Sequence, residues 1–350
     1  MSVIHPESNV DPFDTIVGQP RATEQLRAAV TEPVHAYLFV GPRGAGKRRA
    51  AAIVAGELVG DPSERERNRS LASREEHPDL VIFEPEGPTF RTEEADAVVI
   101  AASRASTEAG RKVILIDRFQ DATPEAAAKL LKPIEEPHGS VVFILLSEDV
   151  PPEHVTIASR STRIDFLAVS HTAITDALMA RGVGQDIAEA AARGSGGDVG
   201  RAELLVSDPA FAARSALWWD APARLDGSGH TVSEIVAEIR GAVDSAQEPL
   251  DERHATEAET MDETEELIGT RGSGRRAMEA RHKREARLHR TDEWRMGLAT
   301  LARRYREGVT DSPNNLGVFA QLRDAAEALT RNPNEELWLS ALLLSLPPSR

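Results

Sequence analysis

The sequence predicts an α/β chain: a mostly parallel sheet under helical cover in the first half, and helices alone after it. Three observations predict this. Short apolar, β-prone runs alternate with helix-period stretches up to residue 167. Strands separated by whole helices cannot pair as tight hairpins, so they pair in parallel with both faces covered. From Ser170 onward the strand signal fades and only helix-period segments follow. At about 150 residues per domain, 350 residues allow two or three domains.

The runs at 36–40, 80–83, 113–116, 141–146 and 163–166 are the expected strands, and 20–30, 47–59, 92–109 and 124–135 the expected helices. The last helix puts Ala127, Leu130, Leu131 and Ile134 on one face, with Pro124 in its first turn and Pro137 beyond its end. Ser170 is placed to cap a helix bearing Ile174, Ala177 and Leu178. A second short helix, 186–193, stops at Gly194, and a third begins near Arg201 after a loop rich in glycine. Helix resumes after Phe211 in another style. Residues 244–266 hold ten acids against one base, and 271–306 hold twelve Lys/Arg against four acids. Such blocks are solvated faces or interaction surfaces. Arg281, Lys283, Arg284, Arg287 and Arg290 are placed to line part of a helix, and three readings stand for the basic block: phosphate contact, packing or ion-pairing within this helical region (the acidic block included), or plain solvation. A loop at 311–315 precedes two amphipathic helices, 318–329 and 335–346.

Composition narrows the function. Apolar residues make up 41% and charged residues 28%, the balance of a globular chain. A net charge of −16 argues against duplex DNA binding by the chain as a whole, because phosphates are repelled. There is no cysteine, which excludes disulfides, thiolate zinc sites and cysteine nucleophiles. The polar stretch 1–14 is no secretory signal and no 18-residue apolar run occurs, so the expectation is a soluble, cytoplasmic chain without membrane contact.

The most specific local signal is Gly41-Pro-Arg-Gly44-Ala-Gly46-Lys47, after a strand and opening a helix. This is the G-x-x-x-x-G-K phosphate loop in its required setting: backbone N–H groups and a helix N-terminus cradle phosphate, and Lys47 reaches its outer oxygens. The next position, where a hydroxyl holds Mg²⁺, is Arg48. The strand 113–116 ends in Asp117, the Walker B arrangement, but the following position, a water-orienting glutamate in hydrolysing enzymes, is Arg118. Loss of both groups removes hydrolytic rate by orders of magnitude. Whether the chain is an enzyme in its own right stays open, with its own ATP hydrolysis not expected.

Several motifs converge in order. Asp14-Thr-Ile-Val-Gly18-Gln19 precedes a helix. His77-Pro78-Asp79-Leu80 opens the second strand. Ala126-Ala-Ala-Lys-Leu130-Leu131-Lys132-Pro-Ile-Glu135-Glu136-Pro137 follows the Walker B strand, and Ile157-Ala158-Ser159-Arg160-Ser161 precedes the last strand. Together they resemble the bacterial clamp-loader AAA+ subunits of DNA polymerase III. The delta-prime type fits best, in actinobacterial-looking versions with a long Arg-rich third domain. The resemblance implies an AAA+ P-loop domain (1–167), a three-helix lid (168–208) and an all-α collar for oligomerisation (209–350). It implies a role in ATP-dependent loading of the sliding clamp on primed DNA, within a ring shared with gamma/tau and delta subunits. It also implies that Arg160 is an arginine finger acting in trans on a neighbour's ATP. Arg163 is its near decoy, and an ordinary salt bridge is the competing reading of Arg160.

The degenerate nucleotide site comprises Gly41, Gly44, Gly46, Lys47 and Asp117, with Ser147 at a polar sensor position and Arg201 at a lid position. ATP or ADP is the only cofactor this suggests. Many relatives carry a four-cysteine zinc module before His77; here 61–76 has no cysteine, so no zinc is expected and His77 reads as a packing residue. Two other functions stay open: a gamma/tau-like ATPase motor, and a pure scaffold without catalytic role.

Overall fold

Alternation along the strands decides which helices each face of the sheet receives. In this computed structural model, which describes residues 11–85, 89–108, 110–137, 139–208, 210–268, 275–307, 316–329 and 333–348, the strands are β1 (Ala36–Val40), β2 (Leu80–Phe83), β3 (Lys112–Ile116), β4 (Val141–Ser147) and β5 (Thr162–Asp165). All pairings are parallel, in the order β2-β3-β4-β1-β5. Tyr37, Phe39, Val113, Leu115, Val142 and Ile144 pack in one core with Leu26, Val54 and Ala72, from α1 (Pro20–Thr31), α2 (Lys47–Leu58) and α3 (Arg65–Ser73). Their alternates Leu38, Val40, Ile114, Ile116, Phe143 and Leu145 pack in a second core with Val98 and Leu130, from α4 (Thr92–Ser103) and α5 (Pro124–Glu135). β1, β3 and β4 are buried at every position, as parallel strands covered on both sides must be. The α/β expectation holds.

Two elements differ from the sequence reading. The helix expected over 92–109 stops at Ser103. Asp79, fully buried, accepts the backbone N–H groups of Thr107 (2.5 Å) and Glu108 (2.8 Å), and Lys112 Nζ donates to Arg104 O (3.0 Å), so tertiary partners take over where helix bonds would continue. α3 was not expected at all. Its mean composition is strongly polar, and it forms because Asn68 donates to Val59 O (3.1 Å) and Asp61 O (3.0 Å) while Ala72 is buried.

After β5 come α7 (His171–Ala180), α8 (Gln185–Gly194) and α9 (Val199–Ser207), preceded by the single turn α6 (Val155–Ala158) before β5. Ser170 accepts from Ala173 N (3.1 Å), the cap the sequence announces. The chain divides into two compact units, residues 1–193 with 197–203, and residues 194–196 with 204–350.

Beyond α9, the regular elements among the second unit's described residues are all helices: α10 (Phe211–Arg224), α11 (Gly229–Ile268), α12 (Arg275–Glu307), α13 (Leu316–Ala328) and α14 (Glu335–Ser345). Trp218, Trp294 and Trp338 make successive edge contacts at 6.0 and 5.4 Å. Arg290 grips Glu335 with two 2.6 Å bonds, and Trp294 Nε1 donates to the same carboxylate (2.9 Å). The acidic and basic blocks face one another: Asp244 pairs with Arg290 (2.8 Å), Arg253 and His254 with Glu285 (2.9 and 2.7 Å), His282 with Glu257 (2.7 Å) and Arg275 with Asp262 (2.6 Å). Where such pairs are solvent-exposed they add little to stability. The loop read at 311–315 lies outside the described residues, as do the side chains of Arg281 and Arg284. No described helix is long and apolar enough to cross a membrane.

Packing around Trp218 yields a test. A Cβ on Gly297 would overlap the Trp218 indole, whereas one on Gly241 of α11 meets nothing within 4 Å. Gly241→Ala is expected to stabilise by up to about 1 kcal/mol through helix propensity. Gly297→Ala gains the same propensity but is expected to lose about 1–3 kcal/mol to overpacking. Thermal melts of the two variants should therefore move in opposite directions or, at least, differ clearly.

Candidate functional site

A parallel sheet offers its ligand crevice beyond the carboxyl ends of the strands where the order reverses, here at β1 between β4 and β5. The candidate residues Gly41, Gly44, Gly46, Lys47, Asp117 and Ser147 all follow or end β1, β3 or β4 and so converge at that edge. Gly41 N donates to Ser147 O (3.1 Å), tying the loop to β4, and a Cβ on Gly41 would overlap the Phe166 carbonyl. Gly46 caps α2 in the left-handed region. Gln19 clamps the loop from behind: its amide donates to Ala45 O (3.1 Å) and Leu167 O (2.7 Å) and accepts from Leu167 N (2.9 Å). The Val-Gly-Gln signature thus builds the loop's floor.

The charged groups are already engaged. Lys47 donates its ammonium to the loop's own carbonyls, Gly41 O and Pro42 O (2.8 Å to the latter). Burial lowers its pKa, with Glu148 and Asp117 pulling the other way. Arg48 forms a fork with Glu75 (2.6 and 2.8 Å) and reaches Asp117 Oδ2 (2.9 Å) and Glu84 Oε2 (3.1 Å). Burial alone would lower its pKa; Glu75, Asp117 and Glu84 outweigh burial and raise it. The second oxygen of Asp117 accepts from Arg118 N (2.8 Å). Arg118 itself lies in the left-handed region, with its guanidinium on Asp121 (2.6 and 2.8 Å). Ser147 is buried with its hydroxyl 2.5 Å from Asp149 O and 3.4 Å from Gln120 Oε1.

Residues 198–201 bring an acid to the loop, not only a base. A Cβ on Gly44 would overlap Asp198, and Val199 N lies 3.4 Å from Gly44 O. Asp198 Oδ1 accepts from Arg201 N (3.0 Å), which places Arg201 in the first turn of α9, two residues past this contact. The donor set does not fit a magnesium nucleotide. A guanidinium holds the Walker B carboxylate, no hydroxyl follows Lys47, and a carboxylate packs on the phosphate loop.

Arg160 lies elsewhere. It follows α6 and precedes β5, whose Thr162 is level with Tyr37 and whose Asp165 is level with Val40. It therefore sits at the amino edge of the sheet, roughly 15–20 Å along the strand direction from the loop after Val40. Its guanidinium pairs with Glu135 at the end of α5 and donates to Thr156 O (3.0 Å) and Ser159 Oγ (3.3 Å), with the side chain 38% exposed. Arg163 stands on β5 and pairs with Asp165 (2.8 Å). His77 is buried, and its Nδ1 accepts from Asp79 N (3.1 Å), a packing role.

Sequence reasoning missed Gln19 as a clamp, Glu75 and Glu84 as partners of Arg48, and Asp198 against Gly44. Only Gln19 lay within a recognised motif. Glu75 follows a helix that the sequence did not announce, and Asp198 sits in a glycine loop whose path is set by its neighbours.

Residues 18–170 match the family described as DNA polymerase III, delta subunit. The chain is 30% identical over 177 residues to DNA polymerase III subunit delta' of Bacillus subtilis (strain 168), covering 49% of this chain and 54% of that protein. It is 34% identical over 135 residues to subunit delta' of Pseudomonas aeruginosa, covering 36% and 41%. Subunit tau of Bacillus subtilis is 31% identical over 173 residues, covering 46% and 30%. The chain spans about half the length, or less, of the curated relatives it matches. Among solved structures, a gamma-subunit-related protein of Thermotoga maritima aligns over 91% of this chain and 96% of that one, at 16% identity and a TM-score of 0.49.

Proposed function

We propose, with residues 18–170 as a domain of the DNA polymerase III delta-type family, that this chain is a delta-prime-like clamp-loader subunit that does not turn over nucleotide itself. The observation that carries the second half is Arg48 on Asp117. The place of a divalent ion is taken by a guanidinium, and the place of a water-orienting carboxylate by Arg118.

What remains is assembly and Arg160. At the amino edge of the sheet, Arg160 is too far from its own phosphate loop to serve it, which supports a role toward a neighbour's nucleotide. A planar, permanently charged fork meets phosphoryl oxygens as charge builds in the transition state. The partners on this reading are the gamma/tau and delta subunits, with the sliding clamp and primed DNA engaged through the complex. The three-part division 1–167, 168–208 and 209–350 belongs to the same proposal.

A scaffold reading has one observation in its favour: Arg160 already has a carboxylate partner, Glu135, in its own chain. The gamma/tau-like motor reading is opposed by Arg48 and Arg118. Reconstitution decides among them. Clamp loading on primed DNA, scored with gamma/tau and delta in the presence and absence of this chain, is expected to require it. Purified alone, the chain is expected to show turnover near background. A turnover of about 1 s⁻¹ or more by the chain alone would establish the motor, and full loading without it would end the clamp-loader reading.

A further inference from the structure

The misfit of the phosphate loop to a magnesium nucleotide has a specific architecture. Arg48 is held by three carboxylates contributed by three separate segments: Glu75 after α3, Glu84 after β2 and Asp117 after β3. Glu75 supplies the two-pronged bond, and it does so from left-handed backbone, φ 62°, which a non-glycine residue adopts only under strain. Such strain persists only where surrounding contacts over-determine it. The bidentate ion pair is one contact that benefits from it, since a fork-to-fork arrangement fixes the direction of the guanidinium as well as its position. With Glu75 on Nε and Nη2, the remaining Nη1 is left directed at Asp117 and Glu84.

We propose that Glu75 and Glu84 are specificity-determining residues of this site: they fasten Arg48 on Asp117 as a resident cation that shuts divalent ions out. The inference rests on reading the loop as a degenerate nucleotide site, and it adds what makes it so. Arg48 is not merely a missing hydroxyl. It is a plug, with Glu75 as the positioning residue. Asp117 and Glu84, which meet on one nitrogen of Arg48, are the oxygen donors a hard divalent cation takes once the guanidinium is gone.

The test uses the full chain and Mn²⁺ as probe, by electron paramagnetic resonance titration and by thermal melting in millimolar Mn²⁺. Wild type is expected to bind no stoichiometric Mn²⁺ and to melt at the same temperature with or without it. Arg48→Ala, which removes the guanidinium shared by Asp117, Glu84 and Glu75, is expected to melt lower without metal. It is expected to recover in Mn²⁺ and to bind one ion at least tenfold tighter than wild type. Arg48→Met keeps the volume and should behave alike if loss of packing is not the cause. Adding Asp117→Asn to either should abolish the gain. Glu75→Gln should loosen the plug, so that Mn²⁺ binding appears with Arg48 still present. The proposal is overturned if folded Arg48→Ala and Arg48→Met bind no Mn²⁺, if wild type binds it equally well, or if Glu75→Gln leaves exclusion intact. None of these outcomes touches Arg160 or assembly, so failure here is distinguishable from failure of the clamp-loader reading.

Discussion

Arg160→Ala, in a clamp loader assembled with gamma/tau and delta, is expected to lower the DNA- and clamp-stimulated ATPase while leaving the chain folded and the ring assembled. The fold is spared because an ion pair with Glu135 at a 38%-exposed side chain is worth about 0–1 kcal/mol. On the proposed reading the rate suffers because an arginine finger is worth about 10³-fold or more at the site it serves. Where the other sites of the complex have arginines of their own, total ATPase falls only in part, and clamp loading falls further if the sites fire together. Arg160→Lys should not rescue, since a point charge does not reproduce the planar fork. Arg163→Ala, which breaks only the pair with Asp165, is the matched control and should do less. Wild-type loading by Arg160→Ala together with failure of Arg163→Ala would move the finger to Arg163. Wild-type behaviour of both would leave the scaffold reading.

Arg214→Met is expected to cause the largest loss of stability. Arg214 and Glu293 form an ion pair at 3.1 Å with side chains 5% and 1% exposed, and Arg214 also holds Asp208 at 2.5 Å. Depriving a buried carboxylate of its guanidinium costs about 3–5 kcal/mol. The double variant Arg214→Met, Glu293→Leu should recover much of this, because an apolar pair avoids the desolvation of charge. The pH dependence has a definite sign. Burial would raise the Asp208 pKa, but the hydrogen bond and charge of Arg214 outweigh it and hold it below 3.8. That contribution is present above the unfolded value and is lost as pH falls through the folded one. That loss narrows the gap between wild type and variant toward acid pH. A gap in denaturant midpoint that stays constant as pH falls below 3.8 would contradict this account.

The parts of this protein determined by the sequence alone are those whose cause is local. Five short apolar, β-prone runs set between helix-period stretches placed every strand, because strands of a parallel sheet covered on both faces read as continuous apolar runs. Proline, serine and glycine marked α5, α7 and the phosphate loop through effects confined to a few residues. Arg48 and Arg118 were legible as defects, since each stands at a motif position where a different chemistry is needed.

What only the tertiary structure decided is partnership across long separations in sequence. Asp79 ends α4 by taking N–H groups 28 and 29 residues away. α3 exists because Asn68 and Ala72 find buried places, although its own composition is polar. The sequence left phosphate contact, ion-pairing and solvation all open for the basic block; it pairs with the acidic block because α11 and α12 bring Asp244, Arg253 and Glu257 to Arg290, Glu285 and His282. Arg48 was predicted to exclude magnesium, but Glu75, 27 residues on, and Asp117, 69 residues on, are what turn an arginine into a cation fixed in place. The physical reason is one and the same. A hydrogen bond or ion pair depends on distance and direction in space, and the chain encodes that distance only through the packing of every element between its two ends.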